Sequence, residues 1–352
     1  MQRFFYTYTL SNKLKIIFLI IVYALPPLTQ ASVENKTLTI IANKSFKNGL
    51  LYIAQKEKFF EKHGLSIHLI TPQNDTNPYE LAQSYKDAVV LSSEFEFLQS
   101  TYAKDQDFKI VASTLLDKNK FSIVLPKNLK RFNYRSELDI FNEDIRIIGI
   151  SSIEKKYFLE QLSYFYPHLN KVAISKTPFE QQVSALQNKE LRSIIVSQTE
   201  YLSSTLIQQT YPIVNNLPKI VNYFQIIAVP KESIAIQPEI YKRLLSALLD
   251  AEKYYQDKKA VALQLFAAKL GILPSRLYES RFQIDFNLAL NQSILISLEE
   301  KLQWLADQES VPRNLTSMNS LLWIDRTLLT EISPDRVAIL PNTPSTYRED
   351  SL

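Results

Sequence analysis

The sequence contains no cysteine. Without cysteine the chain can form no disulfide, no thiolate metal site and no cysteine nucleophile, which excludes several classes of secreted and metal-dependent proteins. Histidine is also scarce, and the three histidines, His63, His68 and His168, do not have the spacing of metal ligands. We therefore expect no bound metal and a fold that is stabilised by packing.

Glycine is nearly as rare, with four residues at positions 49, 64, 149 and 271. Both kinds of nucleotide-binding loop need several glycines within a few residues, so the sequence argues against ATP and NAD, and we expect no cofactor. No G-x-S-x-G elbow occurs, and no pair of carboxylates stands out for acid and base catalysis. We therefore expect no catalytic residues and predict that the protein is not an enzyme.

The first 31 residues have the features of a secretory signal peptide. They carry three cations and no acidic residue, and an apolar run at residues 16–25 ends at Pro26. That run is too short to span a membrane, and Ala31 fits a cleavage site, so we expect export to the periplasm. Removing these cations lowers the formal net charge from +4 to about +1, which gives no basis for nucleic-acid binding.

A complete strand, helix and strand unit lies near the start of the mature chain and anchors the interpretation of the rest. The β-branched run at residues 37–42 predicts a strand. Asn48 before Gly49 predicts a capped helix whose first backbone N–H groups are free to bind a ligand. Gly64 fits the left-handed position after a helix, and residues 65–70 predict the next strand.

The same alternation of strands and helices continues along the chain. Three S-x-x-E capping boxes, beginning at Ser93, Ser151 and Ser197, mark helix starts directly after predicted strands. Further strands are predicted at residues 87–91, 108–115, 121–125, 145–150, 171–175, 191–196 and 223–229. The predicted fold class is therefore α/β, with two lobes, each a mostly parallel sheet flanked by helices, and a helical C-terminal region.

The chain is predicted to cross between the lobes twice, because a second set of strands begins near residue 117 and the pattern changes again near residue 220. The predicted division is a signal peptide at 1–31, the first part of lobe 1 at 32–116, lobe 2 at 117–220, a return to lobe 1 with the C-terminal helices at 221–340, and a loose tail at 341–352.

Parallel strands joined by helices bind ligands beyond the carboxyl ends of the strands, where helix N-termini and loop side chains meet. In a two-lobe protein these ends face one crevice, which suits a small polar or anionic ligand held without covalent chemistry. Lys44 favours an anion, whereas Glu94 suits an amine, and both possibilities stay open. Each candidate also has a purely structural interpretation as a helix cap. The predicted ligand-binding residues are Asn43, Lys44, Asn48, Ser92, Ser93, Glu94, Ser151, Ser152, Gln198 and Glu200.

Several stretches resemble the ABC transporter periplasmic substrate-binding proteins of the nitrate, sulfonate, bicarbonate and thiamine-pyrimidine family. GLLYIAQKEKFFEKHGLSIHLI at residues 49–70 resembles the family's first helix, which has a small residue, an apolar pair, Ala, charges, two aromatics and Gly-Leu. Asp87 and Ala88 match the Asp-Ala of its first lobe. LQWLADQ and LLWIDRTLLTEISPDRVAIL resemble its C-terminal part. In ALQNKELRSIIVSQTEY the chain has Lys189, Arg192 and Ser193 where Gly, Asp and Ala are usual in that family.

The resemblance implies a two-lobe periplasmic binding protein fold of type II. It also implies a small-molecule ligand and a membrane ABC permease as partner, and we expect a monomer. Some fungal relatives make the thiamine pyrimidine with a cysteine-rich motif, and since this chain has no cysteine that activity is not implied.

The predicted function is thus capture of a small polar or anionic molecule between two lobes and its delivery to an ABC permease. The alternative is a periplasmic ligand-sensing module that signals to a membrane kinase or cyclase. A secreted enzyme is the weakest interpretation, because the sequence shows no set of nucleophile, base and orienting residue.

Overall fold

The computed structural model of the protein describes residues 35–73, 76–103, 107–118, 120–125, 147–211, 213–214, 217, 219, 221–278, 284–311 and 319–339. The predicted signal peptide at 1–31 and the predicted tail at 341–352 lie outside these residues. From Lys36 onward the chain forms one compact unit, which contains both sheets. Within the described ranges, no helix is long and apolar enough to cross a membrane.

The strands are assigned in chain order. They are β1 (Lys36–Ala42), β2 (Leu65–Ile70), β3 (Val89–Ser93), β4 (Phe108–Asp117), β5 (Phe121–Val124), β6 (Ile147–Ile150), β7 (Ala173–Lys176), β8 (Ser193–Ser197), β9 (Ile213–Val214), β10 (Tyr223–Pro230), β11 (Phe286–Asn291) and β12 (Val337–Ala338). One sheet has the order β12-β11-β4-β10-β3-β1-β2, and the other has the order β7-β6-β8-β5-β9. We call the first sheet with its helices lobe 1 and the second lobe 2.

The helices are likewise numbered in chain order. They are α1 (Gly49–Lys56), α2 (Phe59–Lys62), α3 (Pro78–Ala82), α4 (Glu94–Ala103), α5 (Ile153–Phe165), α6 (Phe179–Gln187), α7 (Gln198–Ser203), α8 (Thr205–Thr210), α9 (Lys231–Ile236), α10 (Pro238–Asp257), α11 (Lys259–Leu270), α12 (Pro274–Leu277), α13 (Gln292–Asp307) and α14 (Thr327–Ile332). Short 3-10 helices cover Phe46–Asn48, Pro167–Lys171, Ser320–Trp323 and Pro334–Arg336.

In both sheets, the strand that follows a crossing runs antiparallel to its neighbours. The chain leaves lobe 1 between β4 and β5, and β5 pairs antiparallel with β8. It returns between β9 and β10, and β10 lies antiparallel between β3 and β4. A strand that arrives from the other lobe enters at the edge where the parallel strands end, so it must run in the opposite direction. The predicted two-lobe α/β class is confirmed, and each sheet is mixed instead of mostly parallel.

The core follows from the apolar patterns of the central strands and of α10. β10 is buried along nearly its whole length, as expected for a strand covered on both faces. In α10, Pro238 occupies the first turn, where the lack of an N–H costs nothing, and Ile240, Leu244 and Leu248 recur on one buried face. This helix packs against α1 and so covers one side of lobe 1.

The first helical unit differs from its prediction in two respects. Asn48 makes no side-chain cap, and Ser45 instead accepts a hydrogen bond from the backbone of Lys47 at the start of the 3-10 helix. The predicted helix is also interrupted, because Lys58 has a left-handed φ of 58° and separates α1 from α2. Gly64 has the predicted left-handed conformation, with φ at 70°.

The two lobes also contact each other through aromatic side chains of α4, α5 and α13. Trp304 of α13 donates a hydrogen bond from Nε1 to Oε2 of Glu160 in α5, at 2.7 Å. Its ring centroid lies 5.1 Å from that of Tyr157 and 6.0 Å from that of Phe95. We call Phe95, Tyr157 and Trp304 the aromatic contact. Because Tyr157 belongs to lobe 2 and the other two rings to lobe 1, this contact fixes α5 against lobe 1.

Gly49→Ala is expected to destabilise the protein by about 1–3 kcal/mol, because a methyl group there overpacks the core. A Cβ at Gly49 would clash with Cζ of Phe266 and lie 2.6 Å from Cζ of Phe286, and both rings are buried. Gly271→Ala is the matched control: among the described residues nothing lies within 4 Å of a Cβ there, so only its left-handed φ of +72° costs stability, about 1 kcal/mol. Urea denaturation measures both changes, and a Gly49→Ala protein as stable as wild type would contradict this packing.

Candidate interlobe ligand site

The loops that follow β1, β3, β6 and β8 face each other between the lobes. Oγ of Ser45 lies 3.3 Å from Oγ1 of Thr199, and Oγ of Ser93 donates to Oε1 of Glu154 at 2.5 Å. The two serines belong to lobe 1, whereas Thr199 and Glu154 belong to lobe 2. We call the space bounded by these four residues the interlobe crevice. It lies at the carboxyl ends of the parallel strands, where open α/β sheets bind ligands.

The loop after β1 contains three of the predicted ligand-binding residues. Lys44 is exposed, and Asn43 donates from Nδ2 to Oε1 of Glu96 at 3.3 Å. Asn48 is 2 % exposed. Its side chain donates to the carbonyl of Asn43 at 2.7 Å and accepts from Nε2 of Gln225 at 3.1 Å. Asn48 therefore braces the loop, Asn43 is half-buried, and Lys44 is exposed.

The three predicted residues at the end of β3 have different environments. Ser92 is 1 % exposed, and its Oγ lies 2.7 Å from Oη of Tyr79. Ser93 reaches the interlobe crevice. Glu94 is also 1 % exposed, and its carboxylate pairs with the ammonium of Lys301 at 3.0 Å. Of the three, Ser93 is thus the residue that contacts the opposite lobe.

Two of the three predicted capping boxes form. Ser93 Oγ accepts from the backbone N–H of Glu96, whose Oε2 accepts from the backbone N–H of Ser93 at 2.8 Å. Ser197 forms the same arrangement at the start of α7. In α5 the cap is Ser152 instead of Ser151, and it accepts a backbone N–H of the first turn. This correction moves the cap by one residue and leaves the Ser151 side chain available for other bonds.

In lobe 2, Ser151 belongs to a small polar network with Lys155 and Glu200. The ammonium of Lys155 donates to Oγ of Ser151 at 2.5 Å and pairs with Glu200 at 2.8 Å. Ser151 Oγ also donates to Oε1 of Glu200 at 3.1 Å. Gln198 is buried beside this network, and its backbone N–H donates to the carbonyl of Lys120 at 3.2 Å. The network links the starts of α5 and α7.

The strongest charges near the crevice were not among the predicted residues. Lys47 lies 3.2 Å from Oδ2 of Asp117, and Lys120 forms an ion pair with Glu154. All four side chains are 15 % exposed or less. Lys47 falls inside the predicted loop and Lys120 inside the predicted crossing, so their positions were available from the sequence. The burial of Lys47 and Lys120 could not be predicted from the sequence, because charged residues on loops are ordinarily solvated.

These buried charges perturb one another. Burial and the neighbouring Lys120 lower the pKa of Lys47, against the opposing effect of Asp117. Burial acts to raise the pKa of Glu154, but the charge and hydrogen bond of Lys120 outweigh it and leave that pKa below its usual value. Burial, with the charge of Glu154, raises the pKa of Glu96. Glu154 is therefore held as a carboxylate at neutral pH.

The crevice offers hydroxyl donors, amide groups and paired charges, which are the groups that hold a polar solute. Among the residues that the structure describes, no group of three or more histidine, aspartate and glutamate residues could hold a metal ion. A separate cavity of about 320 Å³, lined in part by Tyr85, Asp87, Asp107, Lys231 and Ile236, lies at the amino ends of β3 and β4. That is the opposite edge of the lobe 1 sheet from the crevice.

A family model described as "NMT1/THI5 like" matches residues 45–260. That segment includes the end of the loop after β1, all described parts of lobe 2 and β10, which returns to lobe 1. No curated protein sequence matches the chain. The family assignment therefore rests on the family model and not on similarity to an individual sequence.

Solved structures share the fold at low sequence identity. The periplasmic aliphatic sulphonate binding protein SsuA of Escherichia coli aligns with a TM-score of 0.66 and 10% identity, covering 88% of this chain and 96% of that chain. The alkanesulfonate-binding protein SsuA of Xanthomonas axonopodis pv. citri, bound to MOPS, has a TM-score of 0.63 and 12% identity, with 83% and 99% covered. A cysteine-to-serine variant of the desulfurization enzyme DSZB, in complex with biphenyl-2-sulfinic acid, has a TM-score of 0.64 and 15% identity, with 86% and 99% covered.

Proposed function

Because this chain belongs to the NMT1/THI5-like family, we propose that it is a periplasmic solute-binding protein. In this proposal it captures a small polar or anionic molecule in the interlobe crevice and delivers it to an ABC permease. The names of similar structures support this role, since two of them are periplasmic or alkanesulfonate-binding proteins and a third is described as a sulfonate ABC transporter component.

The observation that carries the proposal is the meeting of polar groups from both lobes at the carboxyl ends of their strands. Ser45 faces Thr199 at 3.3 Å, and Ser93 donates to Glu154 at 2.5 Å. A ligand that contacts both sides adds bonds that exist only when the lobes are close together, so it stabilises the closed form. This is how a hinged two-lobe protein converts binding into a shape that a permease can recognise.

We propose binding without turnover. A desulfurization enzyme has the same fold, so the fold alone does not separate the two activities. The present chain has no cysteine, and the hydroxyls of the interlobe crevice are paired with carboxylates or hydroxyls and not with a histidine base. The ten predicted residues stay the proposed ligand site: Lys44, Ser151 and Ser152 are exposed and able to contact a solute directly, whereas the buried members support the site from behind. The buried members are Asn48, Ser92, Glu94 and Gln198.

The test begins with native mass spectrometry of the small molecules that co-purify with the protein, followed by thermal unfolding with the identified solute. At about 1,000 times its dissociation constant, the solute should stabilise the folded state by about 4 kcal/mol and be recovered unaltered. Absence of any stabilising solute would remove the binding function, and chemical conversion of the solute would replace it with an enzymatic one.

Ser152→Asp is expected to lose most of that stabilisation while melting normally without solute. Asp is an acceptable cap, whereas its added charge crowds the crevice and repels an anion. Ser204→Asp is the matched control: Ser204 caps α8 by accepting from the backbone of Ile207 at 3.3 Å, as Ser152 does from Lys155 at 3.3 Å. Equal solute-dependent increases in melting temperature in both variants would show that Ser152 does not belong to the site.

A further inference from the structure

The interlobe crevice is bridged by a carboxylate that belongs to the protein itself. Glu154 is the second residue of α5 in lobe 2, and its side chain is 15 % exposed. Oε1 accepts from the hydroxyl of Ser93 in lobe 1 at 2.5 Å, and Oε2 pairs with the ammonium of Lys120. Both oxygens are therefore bound by donors, one from lobe 1 and one from the crossing between the lobes.

The groups around this carboxylate form a set of donors suited to an oxyanion. Lys47 adds a second positive charge that acts on Glu154 across the crevice. The other carboxylates nearby have partners of their own: Asp117 pairs with Lys47 at 3.2 Å, and Glu96 accepts from the backbone N–H of Ser93 at 2.8 Å. Glu154 thus supplies the negative charge that Lys120 requires.

Building on the proposed function, we propose that the carboxylate of Glu154 occupies the position of the anionic group of the ligand, and that an oxyanion ligand displaces it. A hydroxyl and an ammonium bind a ligand carboxylate, sulfate or sulfonate with the same charge-assisted geometry that they offer to Glu154. The exchange also preserves the charge balance of the crevice, because one anion replaces another. Displacement frees Glu154 to turn towards solvent from the first turn of α5.

An internal competitor lowers the apparent affinity for every external anion. The tethered carboxylate is always present, so a ligand gains only the difference between its own contacts and those that Glu154 gives up. A bare ion, which has no further contacts, binds wild-type protein poorly. A solute that also contacts Ser45, Thr199 or the loop after β1 overcomes the competitor. Glu154 thereby favours solutes that make these further contacts over the inorganic anions of the surrounding medium.

The experiment uses sulfate and acetate as probes, at constant ionic strength set with chloride. Glu154→Gln is expected to bind both probes about tenfold or more tightly than wild type, because the charged acceptor that competed for Ser93 and Lys120 is gone. Equilibrium dialysis with radiolabelled sulfate or acetate measures the affinity. Adding Ser93→Ala to Glu154→Gln should reverse most of the gain.

Glu160→Gln is the matched control, since Glu160 lies on the same helix and also contacts lobe 1, through Trp304. It should bind both probes as wild type does. Equal affinities in wild type and Glu154→Gln would overturn the proposal, as would an equal gain in Glu160→Gln. If Glu154→Gln folds only with sulfate, the anion replaces the missing carboxylate and the proposal stands; if it folds in neither salt, the proposal fails. If the co-purified solute still stabilises the wild-type protein, the proposed binding function stands, whichever of these results is found for Glu154.

Discussion

Replacing Lys301 with methionine is expected to destabilise the folded protein by about 3–5 kcal/mol, because it leaves the Glu94 carboxylate buried and unpaired. Both side chains are 1 % exposed, and their charged atoms lie 3.0 Å apart. Glu94 also accepts from the backbone N–H of Phe224 at 3.1 Å, so it cannot turn to solvent without breaking a second bond. Guanidinium denaturation, read as the shift in midpoint at unchanged slope, measures the loss.

A double variant separates the effect of charge from that of packing. Glu94→Gln together with Lys301→Met removes both charges, so it should recover most of the stability that Lys301→Met loses. Lys253→Met, on an exposed face of α10, should change the free energy of unfolding by less than about 0.5 kcal/mol. A double variant as unstable as Lys301→Met alone would show that the lysine stem, and not the ion pair, supports this region.

Trp304→Ala is expected to cost about 3–5 kcal/mol and also to loosen the two lobes. The Trp304 ring fills the aromatic contact between Phe95 and Tyr157, and its Nε1 donates to Glu160 of lobe 2. Removing it leaves a cavity at the junction of α5 and α13. Small-angle scattering should show a larger radius of gyration for Trp304→Ala than for wild type.

Trp323→Ala is the appropriate comparison, because it is also buried but packs within lobe 1, with its ring 6.2 Å from that of Phe97. We expect a similar loss of stability without expansion of the molecule. The chain has two tryptophans, so each variant keeps a single indole for fluorescence. Identical scattering from Trp304→Ala and wild type would show that the aromatic contact does not hold the lobes together.

Much of lobe 1 could be predicted because its strands and turns are encoded locally. Residues 65–70 form β2 as predicted, since an apolar run after a left-handed Gly64 has few alternatives. The break at Lys58 was missed because a left-handed lysine is held by its surroundings and not by its own preference. The choice of Ser152 over Ser151 as a cap was missed for a similar reason, since adjacent serines satisfy the same pattern.

The sequence predicts where the candidate crevice lies, but it does not predict which charges line it. The loops after β1, β3, β6 and β8 meet at the carboxyl ends of their strands, as expected, because the direction of a parallel strand follows from its connection. The bond between Ser93 and Glu154 joins residues 61 positions apart in the chain. The pairing of Lys120 with Glu154 likewise depends on how the crossing packs against α5, and a single sequence does not encode which charges become neighbours across two lobes.

The position of β10 has a consequence for the order in which the protein folds. It lies in the middle of the lobe 1 sheet, between β3 and β4, although it follows all of lobe 2 in the chain. The described strands of the lobe 2 sheet all come from the continuous segment β5 to β9, so their pairing needs no strand that comes later. During synthesis or refolding, lobe 2 is thus able to close first, whereas β3 and β4 keep unpaired edges until β10 arrives. The lobe that begins the chain is the last to be completed.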